Sequence, residues 1–227
     1  IVAVLLTTFM AVFGPAQKNI NKALGVAEAN RLVSTLENEM AILRPDESFI
    51  PNSSFQKAFK WISESHDEST AIVVFQYQAL PVLGAQDTDG RLDPAVGVVN
   101  DEESMPGVDY INQTVAKSIK DVTKNELSPG VVVGKVYAVR MTQLYNKNGS
   151  AGLELLKTGD DLKPGIVNPS DDTNVVADSS SYEDAYITLQ VEFFVLPNNL
   201  HAYVTGGQWG FDTLGSPVAT QNIAVRR

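Results

Sequence analysis

The hydrophobic pattern opens with Ile1–Phe13 (IVAVLLTTFMAVF), which carries no charge and no polar side chain except Thr7 and Thr8, so a helix there is apolar on every side. After Gly14-Pro15 the pattern changes. Val26, Ala29, Val33, Leu36, Met40 and Leu43 recur at alternating three- and four-residue steps, while Lys18, Lys22, Glu28, Arg31, Asn38 and Glu39 fill other faces. The predicted element is one long helix over 1–43, with an apolar half at 1–15 and an amphipathic half at 16–43. Arg44-Pro45-Asp46 ends it, because a residue preceding proline is pushed out of the helical region. At about 1.5 Å per residue such a helix runs roughly 65 Å, longer than a domain of this chain length is wide, so its front half is expected to protrude.

Beyond the helix the periodicity shortens. Phe55, Phe59 and Ile62 keep helical spacing behind Ser53 or Ser54, which predicts a short capped helix over Ser54–Ser63. Ala71–Leu80 (AIVVFQYQAL) is β-branched and aromatic and reads as a buried strand. The Asp, Gly and Pro of Gly84–Gly107 read as a long surface loop. Ile111, Val115, Ile119 and Val122 predict a second amphipathic helix over about Asp109–Lys124, closed by Ser128-Pro129-Gly130. Val131–Tyr145 is a strand ending at the turn Asn146-Lys147-Asn148-Gly149, with Leu153–Leu156 as a short return. The clearest strand is Ala185–Val195, where alternate residues from Ala185 to Val195 are apolar and Tyr186, Thr188, Gln190 and Glu192 point the other way. One of its faces is expected to be core and the other wet. Pro197-Asn198-Asn199 turns the chain into Leu200–Thr205, and Ala219–Val225 closes the sheet.

A sheet with one apolar face needs a cover, and the amphipathic half of the long helix needs a partner. Pairing them through Val26, Ala29, Val33, Leu36, Met40 and Leu43 gives the expected fold class, α+β. A long protruding N-terminal helix packs by its second half on a mainly antiparallel β-sheet body formed by residues 44–227.

A wholly apolar start, a proline about a turn ahead of the first basic residue (Gly14-Pro15-Ala16-Gln17-Lys18), an amphipathic continuation and a β-rich body resemble the type IV pilins and the type II secretion pseudopilins over about the first 43 residues. In that family a basic leader ending in Gly precedes a mature chain that opens with a Phe-like residue and carries a Glu a few residues in. None of these is present, which fits a chain lacking its first mature residues. The resemblance implies a structural subunit of an extracellular, type IV pilus-like filament. It sits in the inner membrane before assembly and then polymerises with copies of itself into a helical homopolymer at the cell surface. Ile1, Val2, Val4, Leu5, Leu6, Phe9, Met10, Val12, Phe13, Gly14 and Pro15 are its expected assembly residues. The second reading is a pseudopilin of a type II secretion-like system. A third, from another class, is a membrane-anchored extracytoplasmic binding module whose loops around Asp87–Asn100 and Asp171–Asp184 recognise a ligand.

Charge and chemistry narrow the picture further. Among 227 residues, 17 Lys and Arg stand against 27 Asp and Glu, a net charge of -10, and no basic cluster offers a face to nucleic acid. Cysteine is absent, which excludes a disulfide framework, a thiolate metal site and a Cys nucleophile. His66 and His201 stand in no triad or metal-ligand spacing and read as surface or turn residues. The tract Gly206-Gly207-Gln208-Trp209-Gly210 lacks the strand-to-helix context of a phosphate site and reads as a loop pinned by its Trp. Asp87-Thr88-Asp89-Gly90-Arg91-Leu92-Asp93 faintly resembles the front of a calcium loop, with its later ligands out of place. Asp171, Asp172, Asp178 and Asp184 offer the oxygen ligands calcium takes, with a plain solvated loop as the first reading. Asn52, Asn112 and Asn148 each begin an Asn-X-Ser/Thr triplet. No catalytic motif is found, so no enzyme and no resident cofactor is expected.

Overall fold

The computed structural model describes residues 27–45, 47–80, 90–96, 110–146, 152–158, 161–168 and 178–227. Helix α1 covers 27–41 and α2 covers Ser54–Glu64. The strands β1 (Ile72–Ala79), β2 (Ile111–Ser118) and β3 (Val132–Asn146) follow, then three short strands, β4 (Leu153–Leu155), β5 (Lys157–Thr158) and β6 (Asp161–Leu162). The chain finishes with β7 (Tyr186–Val195), a one-turn helix α3 (His201–Val204) and β8 (Ala219–Arg226). The main sheet runs in the order β2-β1-β3-β7-β8, antiparallel throughout, with β4 pairing the far end of β3. A register shift between Val74 and Gln76 of β1 against β3 helps curl this sheet into a half-barrel.

Both faces of the sheet are buried, for different reasons. On the inner face, Leu36 and Met40 of α1 and Phe55, Phe59 and Ile62 of α2 pack against Ile72, Val74, Val139, Leu189 and Val191. On the outer face, Val73, Phe75, Val115, Ala138 and Phe194 are covered by Ile119, Val122 and Leu127, and by Val204, Trp209 and Phe211 of the segment around α3. Trp209 closes that cover by donating Nε1–H to the Val204 carbonyl at 3.0 Å and meeting Phe211 edge-on. Local sequence explains α2 well. The Ser53 hydroxyl accepts the Gln56 N–H at 3.1 Å, and the Gln56 side chain accepts the Asn52 N–H at 2.7 Å, so two otherwise orphaned donors are satisfied.

Several expectations are corrected. The fold is a mainly antiparallel β half-barrel with short helices, not a body organised around a long protruding N-terminal helix. The first helix is the fifteen residues 27–41, and Ile1–Val26 lie outside the described residues. The sheet provides its own two-sided core, so α1 covers part of one face and does not organise the fold. The predicted helix over Asp109–Lys124 is the strand β2 followed by a single 3-10 turn, Ile119–Asp121. Its apolar residues satisfy helical spacing, yet neighbouring Val115 and Ala116 enter opposite cores, and eight register pairs with β1 override the local pattern. The face of β7 expected to be wet carries exposed Tyr186 and half-buried Thr188, Gln190 and Glu192, but it ends at Phe194, which is 1% exposed beneath the α3 segment. Leu200–Thr205 turns out to contain α3.

Candidate functional site

The feature that most distinguishes this body is the way α1 is mounted on it. Leu32, Leu36 and Met40 follow one another at four-residue steps, share one helix face and are 1%, 0% and 3% exposed. Polar contacts pin both ends. Near the start, Glu28 accepts a two-point contact from Arg31, Nε at 3.0 Å and Nη2 at 2.7 Å, and the Tyr137 hydroxyl of β3 donates to the same carboxylate at 3.0 Å. Arg31 Nη1 also donates to the Thr114 hydroxyl of β2 at 3.1 Å.

At the other end, buried Glu39 accepts from Arg44 Nε at 2.9 Å and Nη2 at 2.8 Å, and from Arg91 Nη2 at 2.7 Å. Arg91 is 2% exposed and donates as well to the Ala116 carbonyl of β2 at 3.2 Å. Just beyond α1, the fully buried Lys57 ammonium of α2 donates to the Ile42 carbonyl at 2.7 Å and to Glu47 at 2.6 Å, with the Trp61 ring 4.8 Å away. Lysine and glutamate are rarely buried unless paired in this way. These contacts tie α1 and the turn after it to β2, β3 and α2.

The electrostatics follow from burial and pairing. Burial pushes the Glu28 carboxyl up, but the hydrogen bonds from Arg31 and Tyr137 outweigh it and leave the group below the usual glutamate range. Burial, then the bond to Glu28, drives the Tyr137 phenol up to about 12. Burial lowers the Lys57 ammonium and raises the Glu47 carboxyl, with their mutual contact opposing both shifts.

Of the residues expected to pack helix on sheet, Leu36 and Met40 lie in the inner core and Val33 is partly buried against it. Ala29 is half-buried, while Leu43 lies past the helix end and is 47% exposed. Val26 and the assembly residues Ile1, Val2, Val4, Leu5, Leu6, Phe9, Met10, Val12, Phe13, Gly14 and Pro15 lie outside the described residues. Leu32 was not among the expected packing residues, although its four-residue step to Leu36 is legible. Arg91 sits in a run of aspartates that reads as a solvated loop, and nothing local marks it as buried.

The remaining candidates stand apart from one another. The His66 ring nitrogen Nδ1 is 2.8 Å from the Ser63 carbonyl oxygen, and His201 Nε2 is 3.2 Å from that of Val122. Asp171 and Asp172 lie outside the described residues, as do Asp87 and Asp89. Exposed Asp178 accepts the Ser180 N–H at 3.0 Å, which holds its carboxyl below the usual range. Asp184 faces Tyr182, whose phenol is raised by burial first and by that carboxylate second. Among the described residues no three His, Asp or Glu side chains converge as metal ligands.

Among the described residues, three surface clefts stand out. One of about 240 Å³ lies between Glu47, Trp61 and Asp121, and its charges are paired internally: Glu47 with Lys57, Lys60 with Glu64, and Asp121 with the Ser48 N–H. A second, about 210 Å³, separates the end of α1 from β8, and a third, about 470 Å³, lies between the start of α2 and Asp178–Ser180. Among the described residues no helix is long and apolar enough to cross a membrane. Comparison of the chain with protein-family models, with curated proteins and with solved structures gives no match.

Proposed function

We propose that the chain is a non-catalytic structural subunit of a type IV pilus-like filament, polymerising through its apolar N-terminal stretch. The observation that carries this reading is the charge-free run Ile1–Phe13, which needs apolar partners on every side of whatever element it forms. The mount described above supports it. A stretch that bonds one subunit to the next serves a filament only if the polypeptide leading from it is fixed to the folded body, and Leu32, Leu36, Met40, Glu28 and Glu39 fix 27–41 to the inner core, to β3 and to the 90–96 segment. On this reading the subunit sits in the inner membrane before assembly. Copies meeting through unlike surfaces form a contact that does not close on itself, so they grow as a helical polymer at the cell surface.

The test is immunogold electron microscopy of material sheared from producing cells, with an antibody against this chain. Labelled fibres are the expected result. Short labelled assemblies confined to the envelope would make the subunit a secretion pseudopilin. A detergent-extracted monomer, with no labelled assembly anywhere, would refute polymerisation and favour a membrane-anchored binding module.

A further inference from the structure

Two of the three Asn-X-Ser/Thr triplets, those at Asn52 and Asn112, fall on described residues, and the fold treats them differently. Asn112-Gln113-Thr114 is built into β2. Asn112 pairs with Gln78 in the ladder, the Gln113 side chain accepts the Leu92 N–H at 3.0 Å, and the Thr114 hydroxyl accepts from Arg31 Nη1 at 3.1 Å. Asn52-Ser53-Ser54 instead forms the turn that leads into α2. Buried Pro51 and buried Phe55 anchor its two ends, the Asn52 N–H is fixed by Gln56 Oε1 at 2.7 Å, and Asn52 and Ser53 are exposed. An asparagine of such a triplet, held out on a surface turn, is the setting in which N-linked sugar is carried. The same turn borders the cleft of about 470 Å³, whose far wall is Asp178–Ser180 and Arg227. That wall is fixed in place, because the Ser180 N–H donates to Asp178 at 3.0 Å and Arg227 Nη1 donates to the Tyr182 carbonyl at 2.6 Å. It offers carboxylate, hydroxyl and guanidinium groups, the donors and acceptors that sugar hydroxyls need. Its volume lies within the roughly 300–1,000 Å³ of small-molecule sites, enough for a first sugar ring.

We propose that Asn52 carries an N-linked oligosaccharide whose first sugar lies in this cleft. The donor is a lipid-linked oligosaccharide phosphate of the cell envelope. The side-chain amide nitrogen of Asn52 bonds to the anomeric carbon of the first sugar, the bond from that carbon to the lipid phosphate breaks, and the amide loses one proton to the transferase. Ser54 supplies the hydroxyl that the triplet requires at its third position. The modification rests on the location outside the cytoplasm given by the reading above. It does not depend on polymerisation.

The test is tryptic-peptide mass spectrometry of the full chain purified from producing cells, from sheared fibres and from detergent extract alike. Trypsin passes over Arg44 because Pro45 follows it, so Asn52 lies in the peptide Leu32–Lys57 and Asn112 in Leu92–Lys117. Leu32–Lys57 is expected to be heavier by whole sugar residues and to release sugar fragment ions, with Leu92–Lys117 at the mass of its bare sequence. Ser54→Ala, which keeps Asn52 but breaks the triplet, is expected to lose the sugar, and Ser53→Ala, which leaves the triplet intact, to retain it. Hydrogen exchange of the Ser180 amide is expected to be slower in the sugar-bearing chain than in Asn52→Gln. A bare Leu32–Lys57 in both preparations overturns the proposal, whatever the state of assembly. Sugar on Leu92–Lys117 instead overturns it too, as does sugar that survives Ser54→Ala, which would be linked through a hydroxyl. Equal exchange at Ser180 overturns the placement of the sugar in the cleft.

Discussion

Replacing Glu39 by Gln removes a carboxylate that Arg44 and Arg91 share, without changing side-chain volume. Arg91 is 2% exposed and its Nη2 lies 2.7 Å from Glu39 Oε2, so the substitution puts a neutral amide where the buried guanidinium meets a carboxylate. Two unit charges about 4 Å apart attract by about 4 kcal/mol at an effective dielectric of 20, and removing one partner of a buried pair costs roughly 3–5 kcal/mol. For a chain of this size each kcal/mol moves the melting temperature by about 2–4 °C, so the expected fall is roughly 6–20 °C. Lys60→Gln is the control, because Lys60 pairs with Glu64 on the surface of α2 with its side chain 35% exposed. Such a pair contributes about 0.3–0.5 kcal/mol. Thermal and urea unfolding of both variants, followed by circular dichroism, provides the comparison, and an unchanged m-value confirms that stability alone has moved. If Glu39→Gln melted within 2 °C of Lys60→Gln, the buried triad would not be what holds the end of α1, and the mount would rest on Leu32, Leu36 and Met40 alone.

Ser53→Ala deletes the hydroxyl that accepts the Gln56 N–H and should cost about 0.5–2 kcal/mol, read as a lower urea midpoint; no shift would mean that the Gln56 side chain alone secures the start of α2. Tyr137 should titrate near pH 12 in an ultraviolet difference titration, against about 10 in the unfolded chain. Because its folded value is the higher one, its contribution to stability is complete below about pH 10 and is lost as pH rises toward 12. Glu28→Gln should lower that titration and narrow the window, and an unmoved phenol would show that burial alone sets it.

The sequence shows the strands wherever a strand alternates in hydrophobicity or is apolar throughout. β7 is visible in Ile187, Leu189, Val191 and Phe193, and β1 in the run Ile72–Phe75, because these side chains enter cores in the structure as well. The helix α2 is visible because its cap, Ser53, and its stripe, Phe55, Phe59 and Ile62, agree. β2 is hidden because Ile111, Val115, Ile119 and Val122 satisfy helical spacing by coincidence, and only the non-local ladder with β1 decides between the two. Of the outer cover, the pinning of the 206–210 loop by Trp209 is legible, while the burial of Val204 and Phe211 is not, since only the folded chain lays that segment over the sheet. Of the mount, Val33, Leu36 and Met40 of the stripe were legible, whereas Leu32 was missed and Leu43, counted in it, lies past the helix end and is 47% exposed. The ion pairs of the mount were not legible, because Arg91 meets Glu39 across 52 positions of chain and its aspartate neighbours point to solvent.

The claim at the centre of this account is that the run Ile1–Phe13 serves assembly while the stripe on 27–41 serves the fold. One paired measurement tests it: the melting temperature of the body and the yield of pelletable polymer for Leu6→Asp and Leu36→Asp. Leu36 is fully buried in the inner core, so a carboxylate there costs several kcal/mol, comparable with the stability of a whole domain, and the body should unfold. Leu6→Asp should leave the melting temperature of the body unchanged and abolish polymer, because an unpaired charge would then be buried between subunits. A Leu6→Asp chain that melts as low as Leu36→Asp, or that polymerises like the parent, would contradict the claim.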